Sequence, residues 1–249
     1  MDRPNQHSIA TPVHARATAG AGEVTLTLRP APPDRGLTLV RLDLPGQPEI
    51  PCVLEEAGWD ARGLVVGQGE RAVSGLTPLL AACQALGVDN ARIELDGPVA
   101  PGLDGGSAAP YVFLLRCAGR VDQGRPAPLL RLREVLCFSH DTGRISCGSG
   151  EGVYLSIARA PRRSLGLALS EEVFVTQLAR ARALVGGRPR WGDEALRYAL
   201  LEALAVIALC GARFRGRLHW VGGDGRLHLD FWRYWMALED PPRACLGGG

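Results

Sequence analysis

The segment DEALRYALLEALAVIALCG, residues 193–211, constrains the fold more than any other part of the chain. Its spacing is helical, and it is apolar on nearly every face. A helix with one apolar stripe can lie on a surface, but one without a polar face has to be covered all round. This helix therefore belongs between two layers of structure, and the rest of the chain has to supply them.

The remaining patterns come in two similar sets. EVTLTLRPAP alternates apolar and polar residues, the period of a half-buried strand, and APPDRG turns the chain into a second strand, LTLVRLDL. LTPLLAACQALGVDN has helical spacing, with Thr77 read as its N-cap, Pro78 at its first position and Gly87 at its end. ARIELDG follows as a strand and SAAPYVFLLRCAG as a second helix. The plan then recurs. LLRLREVLCFS, GRISCGS and GVYLSIAR read as strands, and SEEVFVTQLARARALVGG as a helix capped by Ser170. After the apolar helix, RGRLHWVGGDGRLHLDF reads as a hairpin with a Gly-Asp-Gly turn. The expectation is an α+β protein of two similar domains, residues 21–122 and 129–240, joined by QGRPAP and preceded by a weakly ordered leader over residues 1–20.

Composition narrows the function classes. The 249 residues are 46% hydrophobic, enough for one large domain or two small ones. With 28 basic against 26 acidic residues and no basic run, nothing points to nucleic acid. Every one of those basic residues is arginine, so no lysine can contact a phosphate or act as a base. The seven cysteines form no CxxC pair, which argues against a disulfide framework or a cysteine metal site. No signal-like segment opens the chain, and the longest apolar run, around residues 203–210, is too short to span a bilayer. A soluble cytoplasmic protein is expected.

Several segments resemble the UDP-3-O-acyl-N-acetylglucosamine deacetylases of lipid A biosynthesis. EVTLTLRPAPPDRGLTLVRLDLPG looks like that family's opening strands. LLAACQALGVDNARIELDGPVAPGLDGGSAAPYVFLL resembles its helix, strand and Asp-Gly-Ser-Ala-Ala-Pro turn almost residue for residue. QLARARAL and RWGDEALRYALLEAL match more loosely, so that the resemblance runs over roughly residues 23–228. It implies two α+β domains of the ribosomal protein S5 domain 2-like kind, with sheets outside and helices packed between them. It also implies a zinc ion held by two histidines and an aspartate, a glutamate as general base and a further histidine. Such a metal lowers the pKa of its water and polarises the amide carbonyl.

Against that pattern the site residues are substituted. Thr77 and Pro78 fall where the family has its glutamate and first histidine ligand. Tyr198 stands for the second histidine, Glu202 for the aspartate ligand, Val206 for another aspartate and Gly225 for the last histidine. Ala17, Thr18 and Ala19 fill an early Gly-Leu-His motif, and residues 184–192 replace an insert that lines the acyl tunnel. The expectation is a deacetylase homologue without catalytic residues and without a cofactor, binding a nucleotide-sugar, a lipid-like ligand or a protein partner in envelope lipid metabolism. The alternative is a zinc-dependent deacetylase or related hydrolase with a rebuilt site, for which His219, His228 and Asp230 are the available groups.

Three further features leave their readings open. Glu202 is either paired with Arg180 or Arg182, or unpaired with a raised pKa in a retained polar pocket. The turn at Asp104, Gly105, Gly106 and Ser107 lacks a P-loop's lysine and spacing and reads as structural. Phe231 with Trp235, and Trp232 with Met236, have helical spacing and suit either core packing or a plug for a vacated groove.

Overall fold

The computed structural model describes residues 4–19, 22–61, 63–132, 135–140, 143–159, 163–183 and 188–238. Its first half comprises β1 (Asn5–Ile9), β2 (Val13–Ala19), β3 (Gly22–Pro30), β4 (Leu37–Arg41), β5 (Glu49–Pro51), a 3-10 turn (Leu54–Glu56), β6 (Ala57–Asp60), β7 (Gly63–Val66), β8 (Val73–Ser74), α1 (Thr77–Leu86), β9 (Ala91–Leu95) and α2 (Ala109–Ala118). The linking strand is β10 (Arg120–Pro126). Beyond it come β11 (Leu129–Arg131), β12 (Leu136–His140), β13 (Gly143–Gly148), β14 (Val153–Arg159), β15 (Arg163–Leu169) and α3 (Glu171–Val173), which runs into a π turn (Phe174–Leu178). The chain continues through α4 (Glu194–Ala208), β16 (Arg213–Gly222) and α5 (Gly225–Ala237).

The two main sheets share one plan. Their orders are β2-β3-β9-β4-β5 and β12-β13-β16-β14-β15, with β11 added beside the first residues of β16. The central strand β9 is antiparallel to β3 and parallel to β4. β16 is likewise antiparallel to β13 and parallel to β14. In each half a helix, α1 or α4, leads into the central strand, and a second helix, α2 or α5, follows it. The chain is an α+β duplication.

Helices α1 and α4 pack against each other between the sheets. Leu200, Leu201, Ala203, Ala205, Val206 and Ile207 of α4 have no exposed surface. Their neighbours are α1, α5, the π turn and β14 to β16, so the all-apolar helix is covered all round as its composition requires. Strand alternation supplies the other walls: Leu26, Leu28 and Ile93 from one sheet, Ile145, Ile157 and Trp220 from the other. The outer face of the first sheet carries Arg29, Arg92, Glu94 and Glu49 in a row of ion pairs, at 2.7 Å for Arg29–Glu94 and 3.0 Å for Arg92–Glu94. Among the described residues no helix is long and apolar enough to cross a membrane.

Four local expectations need correction. Residues 5–19 are not a weakly ordered leader: β1 pairs with β10, and β2 forms an edge of the first sheet. Their partners are distant in sequence, and side chains as polar as Gln6 and Ser8 are buried by hydrogen bonds to Asp34 (2.6 Å) and to the Asn90 carbonyl (2.8 Å). Of the 170–187 stretch, the described residues 170–183 are helical only through residue 178, although Ser170 does cap the helix, its hydroxyl accepting from the Val173 amide at 3.1 Å. Thr77 is the first residue of α1 rather than its cap. The last hairpin is a strand followed by a helix: Asp224 caps α5, its carboxylate accepting from the Arg226 amide at 3.0 Å.

The segment that follows the π turn is held by a buried acid. The Glu194 side chain has no exposed surface, and it accepts from the Arg182 amide (3.0 Å), the Arg182 guanidinium (3.3 Å) and the Arg190 amide. Burial opposes its charge, but these donors outweigh it and hold the carboxyl below the usual range. Arg190 in turn grips Asp104 with both terminal nitrogens, at 2.6 and 3.0 Å, so the Asp-Gly-Gly-Ser turn is a docking point for this segment. Residues 184–187 lie outside the described residues, as do 239–249. Glu194→Gln keeps one acceptor and loses the charge, and it is expected to lower the unfolding free energy by about 1–2 kcal/mol. Denaturant melts at pH 7 check this.

Candidate functional site

The six substituted positions lie on α1, α4 and α5, helices that pack on one another (α1 on α4, α4 on α5), at the place where the resemblance puts the family's groove. Thr77 and Pro78 open α1 and are buried. Tyr198, Glu202 and Val206 are spaced by four on α4, so their side chains share one stripe of the helix. Gly225 is the first residue of α5 and is buried. Thr77 and Tyr198 share a side-chain hydrogen bond across the α1–α4 contact. Burial, with the neighbouring Glu202 charge behind it, pushes the Tyr198 phenol well above its usual range.

Glu202 has neither of the arginine partners expected for it. Arg182 is committed to Glu194, and the cation that acts on Glu202 is Arg159 at the end of β14. Burial raises the Glu202 carboxyl to about 7; Arg159 opposes the shift and Asp224 adds to it. Arg159 itself donates to the Gly223 carbonyl at 3.2 Å. No ion pair with Arg180 or Arg182 forms, and burial leaves the Glu202 carboxyl with a pKa near neutrality.

Space at Gly225 is taken by an aromatic ring. A Cβ on this residue would run into Cη2, Cζ3 and Cζ2 of Trp59, well inside van der Waals contact. Trp59 comes from β6, opposite Leu64. Helix α5 is fastened to the same region by Arg233, which donates to the Leu54 carbonyl at 2.9 Å and to the Ala57 carbonyl. Trp59 packs on Gly225, and Arg159 and Asp224 act on Glu202; none of the three was picked out from the sequence for these roles. A glycine in place of a large residue signals close approach by something else, and that was the available clue to Trp59. Asp224, as an acid before a helical pattern, could have been read as a cap.

His219, His228 and Asp230 are not brought together. His219 is exposed on β16, its ring nitrogen 2.9 Å from the Ser156 hydroxyl. His228 is buried in α5, edge-on to Trp220 at 4.5 Å, and Trp220 points to the opposite side of β16 from His219. Asp230 lies 3.9 Å from His140 instead. The aromatic C-terminal segment is core: Phe231, Trp232 and Trp235 are almost fully buried in mutual edge contacts, whereas Tyr234 and Met236 face outward.

The family model for UDP-3-O-acyl N-acetylglycosamine deacetylase matches residues 6–187 of the chain. The chain belongs to the UDP-3-O-acyl-N-acetylglucosamine deacetylase family. It is 37% identical over 139 residues to the Myxococcus xanthus protein of that name, an alignment covering 54% of this chain and 44% of that protein. It is also 42% identical over 104 residues to the bifunctional enzyme LpxC/FabZ of Porphyromonas gingivalis, over 42% of this chain and 22% of that enzyme. The chain thus spans less than half the length of the curated relatives it matches.

Membership in the deacetylase family corrects one expectation from the sequence. The family's homologues are zinc-dependent, so a chain without a cofactor is not what its relatives indicate. The residues of this groove do not themselves fit a zinc ion of the expected kind. Pro78, Val206 and Gly225 offer no ligand atom on their side chains, and among the described residues no three His, Cys, Asp or Glu side chains converge. The chemistry left in the groove is that of Glu202, Tyr198 and Thr77.

Proposed function

We propose that this member of the deacetylase family is a non-catalytic homologue that binds a nucleotide-sugar, a lipid-like ligand or a protein partner of cytoplasmic lipid A metabolism. The observation that supports this reading most is the Trp59 ring on Gly225, because it fills space where the resemblance calls for a functional histidine. Thr77 and Pro78 support it further, since neither can take a proton from water near neutral pH. On this reading Thr77, Pro78, Tyr198, Glu202, Val206 and Gly225 are relics of a site; of the two domains expected at residues 21–122 and 129–240, the first also takes in β1 and β2.

A second reading, a deacetylase or related hydrolase with a rebuilt site, is favoured by Glu202. A carboxyl at about 7 is matched to general acid–base work. Purified protein supplied with zinc and UDP-3-O-acyl-N-acetylglucosamine separates the two. The binding reading expects no acetate release above a heat-inactivated control. Zinc-dependent release that disappears in Glu202→Gln establishes the hydrolase instead.

A further inference from the structure

Helix α4 lines a cleft on the side away from Glu202. Leu204 and Ile207 wall it, and at about 100° per residue they lie roughly 200° and 140° around the axis from Glu202. Leu86, at the end of α1, and Phe214, at the start of β16, complete an apolar floor, and the hollow holds about 230 Å³. A neighbouring hollow of about 200 Å³ shares Leu86, Arg120 and Glu171 with it and extends to Arg116.

The rim is cationic. Arg116, Arg120 and Arg213 line the two hollows, and Glu171 is the one acid among the lining residues. Arg213 is held by Asp89 at 2.8 Å. Arg116 pairs with Glu171 at 3.0 Å, and Arg120, 4.0 Å from the same exposed carboxylate, also donates from Nη1 to the Leu86 carbonyl, so one acid serves both guanidinium groups and the remaining donors of each stay available at the rim. The other polar groups are already occupied. Gln84 donates to the Ala212 carbonyl at 3.4 Å, and the Ser170 hydroxyl accepts from the Val173 amide. A sugar or nucleotide would find few partners here, but an aliphatic chain ending in an anion meets both the floor and the rim.

We propose that this cleft binds a medium-chain aliphatic carboxylate, whose chain lies on Leu86, Leu204, Ile207 and Phe214 and whose carboxylate joins Arg116 and Arg120. The site is separate from the groove and does not depend on whether the groove is catalytic.

Calorimetric titration of the full chain with octanoate tests the proposal, with octylamine as a probe of equal chain and opposite charge. Octanoate is expected to bind at least tenfold more tightly than octylamine, and roughly tenfold more tightly than hexanoate, since two buried methylenes are worth that much. Arg120→Gln should weaken octanoate at least tenfold. Ala85→Phe, at a position lining the cleft, should abolish binding, and thermal melts of both variants check that each is folded at the titration temperature. Glu202→Leu, in the other groove, should leave octanoate binding unchanged. Equal binding of octylamine, an undiminished affinity in Arg120→Gln, or loss of binding in Glu202→Leu overturns the proposal. None of these results bears on acetate release, so the two readings stand or fall apart.

Discussion

Replacing Gly225 by histidine is expected to lower the unfolding free energy by about 3 kcal/mol. Any side chain at this position meets the far end of the Trp59 indole. Gly225 does not have a positive φ, so the penalty is steric rather than a backbone strain that any non-glycine residue would suffer. The ring can escape only by swinging out of its place beside α5 and over Gly63, which exposes its apolar surface to water. That escape sets the ceiling on the loss. Trp59→Ala removes the obstacle, so Gly225→His should be nearly neutral in a Trp59→Ala background, with a coupling of about 2–3 kcal/mol in the double-mutant cycle. Denaturant melts of the four proteins measure it. Additive losses would mean that Trp59 and Gly225 are independent, and the filled-groove argument would lose its main support.

The pairing of Trp59 with Gly225 also shows where sequence reasoning stops. The apolar helix, the twofold strand-helix plan and the family were legible because each is written in local spacing: period two in β3 and β4, period 3.6 in α1 and α4. What stayed hidden depends on partners far apart in the chain. β1 is a short polar strand whose stability comes from Asp34, Asn90 and the β10 ladder. Glu202 was visible as an acid on an apolar helix, but the competition between Glu194 and Glu202 for arginine was not. Glu194 sits where the Arg182 and Arg190 amides converge and takes Arg182, leaving Glu202 to burial. The Gly-Asp-Gly stretch misled for a local reason. The same residues suit a tight hairpin and a capped helix start, and the apolar run of α5 against Trp220 and Phe214 decides between them.

The same buried groups set the pH profile of stability. His228 is fully buried, neither ring nitrogen has a hydrogen-bond partner, and burial lowers its pKa from 6.5 to about 3. Between those values the unfolded chain binds a proton that the folded chain refuses, so stability falls as pH drops from 6.5 toward 3, by up to ~5 kcal/mol. His7, also lowered, pulls in the same direction. Glu202 acts oppositely. Its folded value of about 7 exceeds its ordinary 4.5, so the folded chain holds a proton that the unfolded one has lost, and stability falls as pH rises through that window, by ~3 kcal/mol. From pH 4.5 to 6.5 the two slopes nearly cancel, and the wild type should be close to flat there. Carboxylates held low, such as Glu194 and Asp104, add to the acid loss only below that range. Glu202→Leu removes one slope. It should gain about 3 kcal/mol over wild type at pH 8, where the buried carboxylate is ionised, and should lose about 3 kcal/mol between pH 6.5 and 4.5 as the His228 term is uncovered. His228→Leu should do the reverse, flattening the acid limb and leaving the alkaline one. Chemical melts at half-unit intervals from pH 4 to 8 resolve both limbs. A Glu202→Leu protein that stays parallel to wild type across the whole range would show that Glu202 is ionised in the fold at neutral pH, held by Arg159 as a true ion pair.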